Sequence, residues 1–197
     1  MIKLGVFYCP EYNLTIEVEN IKSFFKEKSK KNKYLNHLVH STIYVFETDE
    51  INLDSLIEIF GSLRNDLTPV STQINKWRVF EDDVLTGLNT LCLEVELTKD
   101  LLFFQKKVVE TLHKFISIRE WNNFKGDLKI SNEKYGYPFV GEHWIPHFTV
   151  GSLDLNPDII INDIKPLFNF PKRIQFNNLY MYVIDVDSHT LIKSIQF

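Results

Sequence analysis

Two short stretches of this 197-residue chain are equipped to move protons. His40-Ser41-Thr42-Ile43 and His147-Phe148-Thr149-Val150 each set a histidine two residues before a threonine and close on an aliphatic residue. In an extended strand side chains alternate between faces, so His40 and Thr42 point one way and Ser41 and Ile43 the other; His147 and Thr149 stand in the same relation to Phe148 and Val150. Each strand then offers an imidazole and a hydroxyl on one side, about 7 Å apart along the backbone. The pair suits a phosphate: the imidazole gives or takes the proton in transit, and the hydroxyl donates to a non-bridging oxygen. Two such strands meeting across a groove would place imidazoles on opposite sides of one phosphorus, a base on the entering oxygen and an acid on the leaving one. Histidine, with an unperturbed pKa of about 6.5, can do either near neutrality, so this chemistry demands no metal.

Alone, either stretch reads as a histidine in a strand. Together they carry more, because they lie 147 − 40 = 107 positions apart in two similar halves. Residues 2–8 read as a strand stopped by Pro10, and Ile16 to about Lys31 as a helix with an apolar stripe. The β-branched and aromatic run 38–47 is a strand containing His40. A helix begins at Asp54, Pro69 returns the chain to extended structure, and strands follow at about 70–80 and 89–97. Leu101 to Ile118 is the clearest amphipathic helix. The polar stretch 121–141 reads as a long connection with room for a short strand. A strand over 144–153 holds the second motif, a short helix lies near 157–167, and 172–185 and 190–197 pair as a hairpin through Asp187, Ser188 and His189. The first 100 residues and the last 97 are thus variations on one plan, in which a motif strand is followed by a helix and a strand pair.

The paired motifs, the second inside Pro146-His147-Phe148-Thr149, resemble the H-x-[ST]-hydrophobic signature of the two-histidine phosphoesterases, the superfamily of bacterial 2′-5′ RNA ligase-like proteins and cyclic nucleotide phosphodiesterases. The resemblance implies an α+β fold: one bilobal domain over residues 1–197, with pseudo-symmetric lobes at approximately 1–100 and 101–197 whose antiparallel sheets line a central groove. It further implies hydrolysis, or reversible ligation, of phosphodiesters that involve a ribose 2′-oxygen. His40, Thr42, His147 and Thr149 inherit the catalytic positions, without a cofactor.

Other residues are candidates for holding the substrate. Tyr8, Tyr135, Tyr137, Trp144, Tyr180 and Tyr182 could stack on a base, and Tyr137 and Trp144 are preferred because they flank the second motif. Arg78, near Lys76 at the end of a strand, could direct a cation at phosphate. His143 and His147 have helical metal-ligand spacing, but Pro146 and β-like surroundings argue against such a site, and no metal is expected. His143 could instead stand on the rim, while His37, His113 and His189 lack a hydroxyl partner two residues on. Lys22, Lys26, Lys28, Lys30, Lys31 and Lys33 form either a solvated helix end or a landing strip for flanking phosphates.

Composition bounds the rest. A net charge of −4 argues against a nucleic-acid coat protein with a broad basic surface, leaving a nucleotide or an RNA end as the expected partner. The opening residues do not read as a signal peptide and no apolar run reaches about 20 residues, so a cytoplasmic protein without membrane association is expected. Cys9 and Cys92 read as buried free thiols. No obligate protein partner is evident, and a monomer is expected. Two rival readings stand beside hydrolysis: a nucleotide-binding module without turnover, and RNA ligation in the reverse direction.

Overall fold

A computed structural model describes residues 1–117, 124–185 and 188–197 of the chain. The far end of the expected helix to Ile118, the start of the 121–141 connection and Asp187 of the expected hairpin lie outside the described residues. In chain order the elements are β1 (Ile2–Tyr8), α1 (Tyr12–Lys28), β2 (Asn32–Lys33), β3 (Ser41–Thr48), α2 (Leu53–Ser62), β4 (Val70–Phe80), β5 (Asn89–Val95), α3 (Lys99–Leu112), α4 (Asp127–Tyr135), β6 (His147–Leu153), α5 (Pro157–Ile164), β7 (Lys172–Phe176), β8 (Asn178–Ile184) and β9 (His189–Gln196).

Among the described residues, nine strands form one antiparallel sheet of order β7-β4-β5-β6-β3-β1-β8-β9, with β2 added against β6. The motif strands β6 and β3 are the central neighbours. Outward from them, β5, β4 and β7 lie on one side, and β1, β8 and β9 on the other. Each side draws on both ends of the chain, so the two halves of the sequence interleave in the sheet. The helices brace the seam: α1, which follows β1, packs against β6, and α3, which follows β5, packs against β3.

The core lies between the helices and one sheet face. Leu4, Val6 and Tyr8 of β1, Leu91, Leu93 and Val95 of β5, and Phe148 of β6 point into it, as alternation dictates for a sheet with one covered face. Local chemistry sets the helix ends. The Thr98 hydroxyl accepts from the Leu101 amide at the start of α3, and the Asn156 side chain accepts from the Asp158 amide at the start of α5, with Pro157 in its first turn.

The structure departs from the sequence reading at several points. The strand expected over 38–47 begins only at Ser41, so His40 lies immediately before β3 and not inside it. Residues 127–135 form the helix α4 where a connection with a short strand was expected; its end is closed by Gly136 at φ 64°. The run 172–185 is two strands, since β7 pairs with β4 at one edge while β8 pairs with β1 on the far side.

Candidate active site

The motif strands meet at one residue pair, Ser41 opposite Phe148. Antiparallel register conserves the sum 41 + 148 = 189, so His40 stands beside Thr149 and Thr42 beside His147. Ser41 and Phe148 are fully buried on the core side, and the four motif residues project from the opposite face, each half-buried. Strand geometry then sets the two histidine Cα atoms about 8 Å apart, about 5 Å across and about 7 Å along. The buried Ser41 hydroxyl has no hydrogen-bond partner.

Both strands carry a bulge at the same motif position. Val6 pairs with Tyr44 and Phe7 with Thr42, leaving Ile43 unpaired; Leu91 pairs with Gly151 and Cys92 with Thr149, leaving Val150 unpaired. The fourth motif residue is in each case the extra one, and both are wholly buried. An inserted residue shifts the alternation by one. Thr42 can therefore face the groove while Tyr44, two positions on, faces the core, and Thr149 and Gly151 differ in the same way.

Each imidazole is held alike. His40 Nδ1 lies 2.8 Å from the Leu38 carbonyl and His147 Nδ1 2.6 Å from the Ile145 carbonyl, two residues back in both cases. A carbonyl only accepts, so Nδ1 carries the proton and Nε2 keeps its lone pair for the sheet face that the two motifs share. Burial holds the His40 pKa down to about 3; the Leu38 carbonyl opposes this, and His189, Lys22 and His37 add like charge. Burial lowers His147 as well, with Arg78 adding to the effect and the Ile145 carbonyl, Asp83 and Glu94 opposing it.

The flanks of the site differ in character. Beside His147, Glu94 occupies the paired position on β5 and binds Arg78 and Lys76 of β4, the latter at 3.3 Å. Burial would raise the Glu94 carboxyl, but the two cations outweigh it and hold it low. Phe80 meets the His147 ring edge-on at 5.5 Å, and Cys92 Sγ lies 3.9 Å from the Thr149 hydroxyl. Beside His40 the surroundings are aromatic. Phe7 stacks on the ring at 4.0 Å, His189 is 6.0 Å away, and Tyr182 and His37 complete the cluster around His189.

The sheet thus brings His40, Thr42, His147, Thr149 and Arg78 to one face. Two substrate-binding candidates, Tyr8 and Trp144, are corrected. Tyr8 points to the core, stacked on Phe176 at 4.0 Å, and its edge lines a separate cavity of about 710 Å³ at the start of α1. The Trp144 ring is buried, and its indole N–H donates to the Thr42 carbonyl at 2.9 Å, so it supports β3 from behind. Tyr137 packs edge-on against Tyr44, a core-facing ring of β3. Neither Tyr8 nor Trp144 presents a free ring face beside the motifs. The lysine cluster also divides: Lys22 is wholly buried, Lys28 pairs with Asp163 at 2.8 Å, and Lys33 reaches the Thr86 carbonyl. Glu94, Phe7, Phe80 and His189 escape sequence reading, because only strand register places them beside the motifs. Among the described residues no group of three or more His, Cys, Asp or Glu side chains is arranged to hold a metal ion, and no helix is long and apolar enough to cross a membrane.

No protein-family model matches the chain, and no curated protein matches it in sequence. Solved structures do match over nearly all of it. TT0787 of Thermus thermophilus superposes with a TM-score of 0.68 at 10% identity, over 99% of this chain and 97% of that one. E. coli LigT in apo form gives 0.61 at 10% identity over 99% and 96%, and Kluyveromyces marxianus Usb1 gives 0.51 at 12% over 99% and 98%. At 10–12% identity these likenesses define a class of fold, the one shared by TT0787, E. coli LigT and Kluyveromyces marxianus Usb1. Within it, the chain has the LigT-like arrangement of a curled antiparallel sheet backed by helices.

Proposed function

We propose that the protein is a metal-independent phosphodiesterase that hydrolyses a 2′,3′-cyclic phosphate or a 2′-5′ phosphodiester of a nucleotide or RNA end. The observation that carries this reading is the single register pair Ser41–Phe148, which sets both imidazole–hydroxyl pairs on one face, each imidazole with a free Nε2. Support for the ligand class comes from E. coli LigT, whose structures include complexes with 3′-AMP and with phosphate.

In hydrolysis of the cyclic ester, water attacks phosphorus while one Nε2 takes its proton. The ring P–O bond breaks, the departing ribose oxygen takes a proton from the other imidazole, and a phosphomonoester results. Thr42 and Thr149 donate to the non-bridging oxygens. We assign the base to His40, held neutral chiefly by burial among aromatic neighbours, and the acid to His147, where burial and Arg78 also lower the ring but Asp83 and Glu94 oppose them. An anionic phosphate between the rings favours protonation of the acid on binding.

The test is hydrolysis of 2′,3′-cyclic nucleotides and 2′-5′ dinucleotides by the wild type, His40→Ala and His147→Ala, with chelator present throughout. Each alanine variant should lose about 10²- to 10⁴-fold in kcat, with chelator without effect. Full activity in either variant, or loss on chelation alone, sinks the reading. Nucleotide binding without product in the wild type would favour the alternative of a binding module.

A further inference from the structure

α1 and α3 present the same buried pattern one after the other. Val18, Ile21, Lys22 and Phe25 recur at the intervals of Leu101, Phe104, Gln105 and Val108, so Lys22 and Gln105 occupy equivalent places. Both are 0% exposed. Both reach the backbone that leads into a motif. Gln105 Nε2 donates to the Phe139 carbonyl at 3.1 Å and to the Ile43 carbonyl at 3.3 Å, while its oxygen accepts from the Gly141 amide at 2.9 Å. Lys22 Nζ donates to the His37 carbonyl, one residue before the carbonyl that holds His40 Nδ1. Its ion-pair partner is Glu19, at 3.5 Å and 40% exposed.

A wholly buried ammonium carries a desolvation cost that an apolar residue would avoid, and here it is met by one carbonyl and one half-exposed carboxylate. The segment it grips, Tyr34–Val39, is irregular, with Tyr34 at φ 68° and Leu35 and Val39 buried beneath it. Building on the two-histidine reading above, we propose that Lys22 is a positioning residue: it locks the His37–Leu38 backbone so that the Leu38 carbonyl fixes the Nδ1–H tautomer of His40, and it sets a buried positive charge against the loop that carries this ring. Gln105, without charge, ties the Phe139–Gly141 segment upstream of the second motif to Ile43 of the first. The difference between the two adds to the inequivalence already set by Glu94 and Arg78 beside His147 and by the aromatic cluster beside His40. The charged and titratable groups around His40 are His37 from its own loop, His189 from β9 and Lys22 from α1, and the Lys22 ammonium is flanked on its helix by Glu19 and Lys26.

Lys22→Gln and Lys22→Met separate the two roles. Imidazole nitrogen NMR of the ligand-free variants reads the tautomer and titration of His40 independently of turnover. Lys22→Gln copies Gln105: it should keep the Nδ1–H tautomer and raise the His40 pKa. Lys22→Met should give mixed tautomers. On a 2′,3′-cyclic nucleotide, Lys22→Met should lower kcat about 10- to 100-fold with KM within about twofold, and Lys22→Gln should move the acid limb of the pH profile upward. If folded variants show an unchanged His40 tautomer and titration, or Lys22→Met retains wild-type kcat, the proposal is overturned. Should the wild type hydrolyse neither substrate, the phosphodiesterase reading fails while the NMR arms still decide the role of Lys22. Should Lys22→Met fail to fold, the titration of His40 in Lys22→Gln decides it.

Discussion

The smallest feature on which the proposed chemistry depends is the proton on Nδ1 of His40 and of His147. Each sits against a carbonyl that cannot release it, so exchange with the groove is confined to Nε2. Burial lowers the folded-state pKa of both rings, and also those of His37 and His189. The unfolded chain therefore binds more protons than the folded one below the ordinary imidazole value. Stability is full above about pH 6.5 and is lost as pH falls toward the folded pKa, for His40 over a window from about 6.5 to about 3. Each fully shifted ring contributes up to about 1.4 kcal/mol per pH unit inside its window. Urea unfolding at pH 7.5 and pH 5.0 should show the loss, and His40→Gln should flatten it; parallel pH dependences in the two proteins would refute this. The motif histidines and threonines were legible as residues because strand alternation alone puts each pair on one face. Lys22 was legible too, at the i, i+3, i+4, i+7 interval of an apolar stripe, but its place among five other lysines concealed it. Glu94 carried no local signal, since only the β5–β6 register sets it beside His147.

At the level of elements, two bulges turn short repeats of sequence into a site. The aliphatic residue that closes each motif is the one left out of the ladder, which lets the strand serve groove and core within three positions. Gly5 on β1 has a related duty. A Cβ there would lie 2.4 Å from the Phe7 ring and 2.7 Å from Ile184, and Phe7 is the ring that stacks on His40. Gly5→Ala should cost about 1 to 3 kcal/mol and lower kcat as the His40 ring is pushed aside. Gly61→Ala, whose nearest neighbour would be the Lys193 chain at 3.8 Å, is the control. Equal activity in the two variants would remove the argument. β1 and β4 were read at their observed bounds because pattern and punctuation agree there. α4 was missed because Asp127–Tyr135 is too polar for a clear apolar stripe. The break at Asn177 was missed because a crossing from one edge of a sheet to the far side leaves no mark on hydrophobicity.

For the molecule as a whole, charge limits what can be held. Net charge is −4, and of the six lysines near the end of α1 one is buried and another is paired with Asp163. An RNA oligomer ending in a 2′,3′-cyclic phosphate should therefore bind with a shallow dependence on salt, a log–log slope of about −2 or smaller in magnitude. Titration between 50 and 200 mM salt (roughly the range over which phosphate contacts separate) would show it, and a slope near −6 would mean that a basic track exists elsewhere. The order of the sheet was hidden from the sequence, because similar halves suggest two lobes side by side and only long-range pairing reveals the exchange of strands. That exchange bears on how the protein is made. β3 and β5 have both been synthesised by residue 95, yet the strand that joins them begins 147 − 95 = 52 residues later. During translation their facing edges wait open, with unpaired amides and carbonyls able to recruit a neighbouring chain. The face that carries both motifs closes only once β6, about three-quarters of the way along the chain, has been made.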